Sequence, residues 1–102
     1  MAESLEDPST PEVVDNDGHD RLELVQGDER AELEYRVEDG RLVMVHTEVP
    51  ESWGGQGVGG KLVVAAVTKA AREDLELVSE CPFATKWMDK HPDEVMAARG
   101  AG

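Results

Sequence analysis

Five of the chain's ten glycines crowd between Pro50 and Lys61, and they separate two incompatible patterns. Upstream, apolar and polar residues alternate with a period of two. Downstream, Leu62, Ala65, Ala66 and Lys69-Ala70 fall at helical spacing, within a run whose alanines favour the helix. The backbone must therefore turn from sheet to helix within this segment, and glycine makes that turn sterically free. At 102 residues and 11.1 kDa the chain has room for one small domain.

The alternating half predicts an antiparallel meander. Leu22 and Leu24 flank Glu23 in a short strand over about 20–25, and Gly27-Asp28 makes a turn. Ala31, Leu33, Tyr35 and Val37 then alternate with Glu32, Glu34, Arg36 and Glu38 in a half-buried strand. Asp39-Gly40 is a tight-turn signal. The run from Leu42 to Val49 is apolar on both faces in its first half, as suits a central strand, and Pro50 ends it because proline lacks the N–H the ladder needs. After the helix, a strand over 75–79 is expected to lie parallel to 41–49 by a right-handed crossover. Pro82 opens a short helix through Lys90, His91-Pro92 breaks it, and 92–99 adds further helical turns. The order β-β-β-α-β-α defines an α+β fold with a mixed sheet flanked by helices, and no internal repeat is visible.

Charge excludes several function classes. Twenty-three acidic residues against ten Lys and Arg give a net charge of −13. Such a chain is a poor binder of nucleic acid, which rewards a basic surface, and of anionic membrane faces. No apolar run approaches a bilayer span, and the N-terminus lacks the basic and apolar regions of a signal peptide. The lone Cys81 cannot form an internal disulfide, which points to the reduced cytoplasm. Residues 1–18 hold six acidic residues, no Lys or Arg, and two prolines, so they are expected to form a disordered acidic tail before a domain over 19–102.

Glycines ahead of a helix are a recurrent anion cradle: backbone N–H groups approach closely, and the helix N-terminus adds its positive dipole end. The competing explanation is a plain strand-to-helix connector. Two phosphate motifs fail on this chain. Gly55 to Gly60 matches G-x-G-x-x-G, with Glu80 twenty residues beyond, but the preceding strand ends too early and no second mononucleotide half follows. Gly55 to Lys61 matches G-x-x-x-x-G-K, but Leu62 stands where a magnesium-holding Ser or Thr is needed.

A third pattern extends beyond the loop. The run Val45-His46-Thr47-Glu48-Val49-Pro50-Glu51-Ser52-Trp53-Gly54-Gly55-Gln56-Gly57-Val58-Gly59 resembles the acetyl-CoA-binding motif of the GNAT (GCN-five-related N-acetyltransferase) superfamily. With Cys81-Pro82-Phe83 and His91-Pro92, residues 19–98 look like its small YjdJ-like branch. The resemblance implies that the pantetheine arm of acetyl-CoA lies along the backbone of Thr47, Glu48 and Val49. It implies that the pyrophosphate sits on the amides of Gly54, Gly55, Gln56, Gly57, Val58 and Gly59, with Gly60 and Lys61 at the helix start. The superfamily usually begins this loop with Arg or Gln, and Gly54 replaces it here; Lys61 supplies a compensating charge one turn later. The strand over 75–79 would splay from 41–49 to admit the arm, leaving Cys81 near the acyl end.

Acetyl transfer to an amine needs a base, an acid for the departing thiolate, and donors for the oxyanion. Many relatives use a tyrosine near the C-terminal helix as the acid, whereas the only tyrosine here, Tyr35, falls in an early strand, where packing is its simpler role. Cys81, before a helix N-terminus, is either an activated nucleophile or a small buried apolar side chain. Glu48, acting through a water, and His46 are candidate bases; on plain alternation His46 shares a face with Glu48 and Met44. Trp53, Trp87, Phe83 and Met88 fit core or groove walls, and His91 fits a cap or packing residue, with a role at the CoA end as the alternative. No metal set is expected. The expected activity is acetyl-CoA-dependent N-acetyl transfer to a small amine or protein amino group, with the acidic surface steering a cationic acceptor. The expected state is a monomer or weak dimer. The alternative is a CoA-binding module with little catalysis, its acceptor pocket completed by a partner because the superfamily's usual N-terminal helices are missing. An interaction domain with a dead site is a third.

Overall fold

The computed structural model describes residues 13–53 and 57–101. Five strands form one sheet in sequence order: β1 (Val14–Asn16), β2 (Arg21–Gln26), β3 (Glu29–Glu38), β4 (Arg41–Glu48) and β5 (Glu76–Ser79). Neighbours from β1 to β4 are antiparallel, and β5 joins β4 in parallel. Helix α1 (Val58–Arg72) makes the crossover, and α2 (Pro82–Lys90) and α3 (Pro92–Ala101) follow β5. The expected α+β class, meander and parallel crossover strand are all present. At the β3–β4 turn Asp39 and Gly40 have φ of 53° and 74°, both in the left-handed region that a two-residue hairpin turn demands.

Leu22, Leu24, Ala31, Leu33, Tyr35, Leu42 and Met44 form the sheet's side of the core. They meet Leu62, Val63, Ala66, Val67 and Ala70 of α1, Ala84 of α2, and Val95 and Ala98 of α3 in one cluster. The opposite face carries Arg21, Glu23, Arg30, Glu32, Glu34 and Arg36, the other half of the period-two pattern. Among the described residues no helix is long and apolar enough to cross a membrane.

One expected boundary moves. Strand β1 falls inside the stretch read as a disordered tail over 1–18, so order begins upstream of residue 19; residues 1–12 lie outside those described. Composition alone could not foresee this, because β1 is held by remote partners. It pairs with β2, and Asp15 accepts hydrogen bonds from the Tyr35 hydroxyl at 2.5 Å and from Lys69 Nζ at 2.7 Å. Helix α1 begins at Val58 and takes Gly59 and Gly60 into its first turn, with Lys61 about one turn in, as expected.

Candidate functional site

Three chain segments meet at the end of β4. The first is the exit from the strand. After Pro50 a 3₁₀ turn (Glu51–Trp53) is fastened to the start of β3 through one carboxylate: Glu29 accepts from Ser52 Oγ at 2.9 and 3.0 Å and from Trp53 Nε1 at 2.9 Å. Trp53 is buried, as expected of a core or wall residue. Glu29 was not identified from the sequence, since nothing local links a hairpin residue to a loop more than twenty positions on.

The second segment is the N-terminus of α1. Gly57 occupies the N-cap in the left-handed region, φ 69°, where a side chain would be strained. It supplies no side-chain cap, and the N–H of Lys61 is the first to reach back into the helix, to Gly57 O at 3.2 Å. The amides of Val58, Gly59 and Gly60 therefore project from the helix end without intrahelical partners, a donor set that suits an anion such as a diphosphate. Lys61 is exposed on the same turn. Gly54, Gly55 and Gln56, the rest of the expected cradle, lie outside the described residues.

Gly59 and Gly60 have a second use. A methyl on Gly59 would lie 2.5 Å from Phe83 Cζ, and one on Gly60 would lie 2.5 Å from Trp87 Nε1. The first turn of α1 therefore rests directly on two rings of α2. Trp87 is backed in turn by His91, with ring centroids 4.2 Å apart and 17° between planes. His91 Nδ1 lies 2.9 Å from the Trp87 carbonyl, which can only accept, so this nitrogen carries the proton. Met88 is half-buried against the core.

The third segment is the gap between β4 and β5. Their ladder runs from Arg41↔Glu76 to Met44↔Ser79 and closes with the Glu80 N–H donating to Met44 O at 2.8 Å. Strand β4 continues to Glu48, while the chain after Glu80 turns into α2. Thr47 Oγ1 and Cys81 Sγ meet at 3.3 Å just past the last rung. Cys81 is only 2% exposed, occupies the N-cap of α2, and has Pro82 at the helix's first position as expected.

A bulge in β4 redistributes the candidate residues. Tyr35 pairs with Met44 but Glu34 pairs with His46, so Val45 is an extra residue in the ladder. Beyond it Thr47 lies opposite Leu33 on the core face, while His46 and Glu48 lie opposite Glu34 and Glu32 on the charged face. The expectation that His46 shares a face with Met44 is therefore corrected, because the extra residue reverses the alternation between them. His46 and Glu48 do share a face, and Cys81 is brought to Thr47 rather than to either of them. Glu48 lines an open groove of about 510 Å³ with Asp28, Arg30, Glu32, Val49 and Pro50.

Tyr35 is 3% exposed and engaged with Asp15. Burial, followed by that carboxylate, pushes its phenol well above the ordinary tyrosine range. Lys69 lies 5.4 Å from the centre of the same ring. Burial disfavours its charge, but hydrogen bonds to Asp15 and Glu73 outweigh that effect and raise its pKa. Among the described residues no cluster of three or more His, Cys, Asp or Glu is placed to hold a metal ion.

Residues 21–97 match the family described as GCN5-related N-acetyl-transferase. The chain is similar to Protein NATD1 of Gallus gallus, Mus musculus and Homo sapiens, 34% identical over 65 residues in each. The match covers 63% of this chain and 58–59% of those relatives, so it spans about three-fifths of their length. The fold is similar to the NMR solution structure of a GCN5-like protein from Staphylococcus aureus, with a TM-score of 0.64 and 30% identity, over 81% of this chain and 82% of that one.

Proposed function

Because this chain belongs to the GCN5-related N-acetyltransferase family, we propose that it is an acetyl-CoA-dependent N-acetyltransferase of the small YjdJ-like kind, acting in the cytoplasm on a cationic amine or protein amino group. The observation that carries this reading is the parting of β4 from β5 after Met44↔Ser79, beside a helix N-terminus with uncapped amides. A bound acetyl-CoA would supply the activated acetyl group as a thioester.

The chain's own residues divide the work. The backbone of Thr47, Glu48 and Val49 runs along the slot and holds the pantetheine arm. The amides of Gly57, Val58, Gly59 and Gly60, completed by Gly54, Gly55 and Gln56, hold the diphosphate, and Lys61 adds charge. Cys81 walls the acyl end. Its burial and its contact with Thr47 favour a wall over an attacking thiolate. The acceptor approaches the charged face, where Asp28, Glu32 and Glu48 attract an ammonium group, and Glu48 or His46 takes its proton.

The second reading, a CoA-binding module with little turnover, is favoured by one observation. The only tyrosine is buried against Asp15 and away from the slot, so it does not serve as an acid for the leaving thiolate. Calorimetry with acetyl-CoA, followed by thiol release over a panel of polyamines and basic peptides, separates the two. Binding with turnover supports the enzyme, binding without turnover supports the module, and no binding removes both.

A further inference from the structure

Trp87 carries no chemistry of its own, yet it touches the segment that the proposed function places against the diphosphate. On Gly60 a methyl would lie 2.5, 2.8 and 2.9 Å from Nε1, Cε2 and Cζ2 of Trp87, closer than carbon tolerates. The ring cannot simply retreat, because His91 is stacked 4.2 Å away and is tied by its Nδ1 to the Trp87 carbonyl. The neighbouring contact differs. Phe83 is 44% exposed, so its ring has solvent to move into if Gly59 gains a side chain. One contact is locked and the other is compliant.

We infer that Trp87, braced by His91, is a positioning residue: it is the stop that sets the depth and direction of α1's first turn, and so aims the free amides of Val58, Gly59 and Gly60. Gly60 lacks a side chain to let this stop act on backbone directly. The inference rests on the cofactor reading given above. It assigns Gly60 a steric role, whereas a flexible anion loop would need glycine only for its torsional freedom. A displaced donor set loses its charge-assisted hydrogen bonds to a diphosphate while leaving contacts along β4 intact, so the effect should depend on which part of the acyl carrier is present.

The test compares acetyl-CoA with acetyl-pantetheine, which has the thioester and arm but no diphosphate. Gly60→Ala and Trp87→Leu are each expected to weaken acetyl-CoA binding, read as Kd by calorimetry, about tenfold and to change that of acetyl-pantetheine less than about twofold, with kcat/KM following the same pattern. The double variant Gly60→Ala/Trp87→Leu, in which the methyl has room, is expected to regain part of the loss with acetyl-CoA. Equal losses with both carriers, or none with either, overturn the inference. If Gly60→Ala does not fold, Trp87→Leu carries the comparison under the same criteria. A wild-type protein that binds no acetyl-CoA overturns the cofactor reading and this inference together, whereas normal wild-type binding with carrier-independent losses overturns this inference alone.

Discussion

Thr47 and Cys81 are thirty-four positions apart and meet through Oγ1 and Sγ at 3.3 Å, where two parallel strands stop pairing. The contact closes the inner end of the slot with two small polarisable groups, and it makes the thiol part of the core.

Cys81 is therefore expected to resist alkylation in the native protein and to react readily once the chain unfolds. Cys81→Ala should cost about 1–2 kcal/mol in a denaturant titration and keep acetyl transfer within about tenfold of wild type. Intact mass after incubation with acetyl-CoA checks the role directly. An acetyl adduct on Cys81 that disappears when an amine acceptor is added would show the thiol to be a carrier rather than a wall.

Glu29 holds the segment that leads into the glycines by accepting from both Ser52 and Trp53. Glu29→Ala leaves the buried indole N–H without its partner, an expected cost of about 1–3 kcal/mol. Glu29→Gln retains an acceptor and should cost less. Thermal unfolding of the two variants measures the difference, and acetyl-CoA affinity is expected to fall in the same order.

Asp15 ties the edge strand to both the sheet and α1, through Tyr35 and Lys69. Asp15→Ala should lower stability by about 1–2 kcal/mol, kept modest because part of the carboxylate faces water. Hydrogen exchange gives the sharper test. Amides of Val14–Asn16 should lose protection while those at the centre of β3 and β4 keep theirs. Uniform loss across the sheet would contradict a local clasp.

Glu23 has a carboxyl held below its ordinary pKa of 4.5, first by its hydrogen bond with Arg21 and then, against the opposing effect of burial, by a hydrogen bond from Asn16. A group with a depressed native pKa contributes stability above its unfolded value and loses that contribution as pH falls through the native one. The melting temperature of Glu23→Gln should lie below wild type at neutral pH, and the two should converge below about pH 4. A gap that stays constant into acid would show that the side chain matters for its packing and not its charge.

Much of this architecture was legible before any coordinates. Ala31, Leu33 and Tyr35 announced a half-buried strand, Asp39-Gly40 its turn, and Pro82 a helix start, because each signal depends on near neighbours. What escaped depends on distant ones. Strand β1 has little apolar content of its own and is held by Asp15 reaching Tyr35 and Lys69. The extra residue at Val45 has no compositional mark, since only the register against Glu34 and Tyr35 reveals it. The glycines of the α1 turn were readable as glycines, but not the rings of Phe83 and Trp87 pressed against two of them. For the candidate site, the sequence supplied the residues of β4 and α1, and the pairing pattern decided which of them look the same way.

Val45 works as a hinge pin in the ribbon's rhythm. Without it Thr47 would change places with its two neighbours, and the carboxylate and imidazole would be buried beside the thiol. Because of it, the hydroxyl that meets the thiol is partly shielded from water while the imidazole and the carboxylate two positions apart look out over the charged face, so one short stretch of backbone serves two different environments.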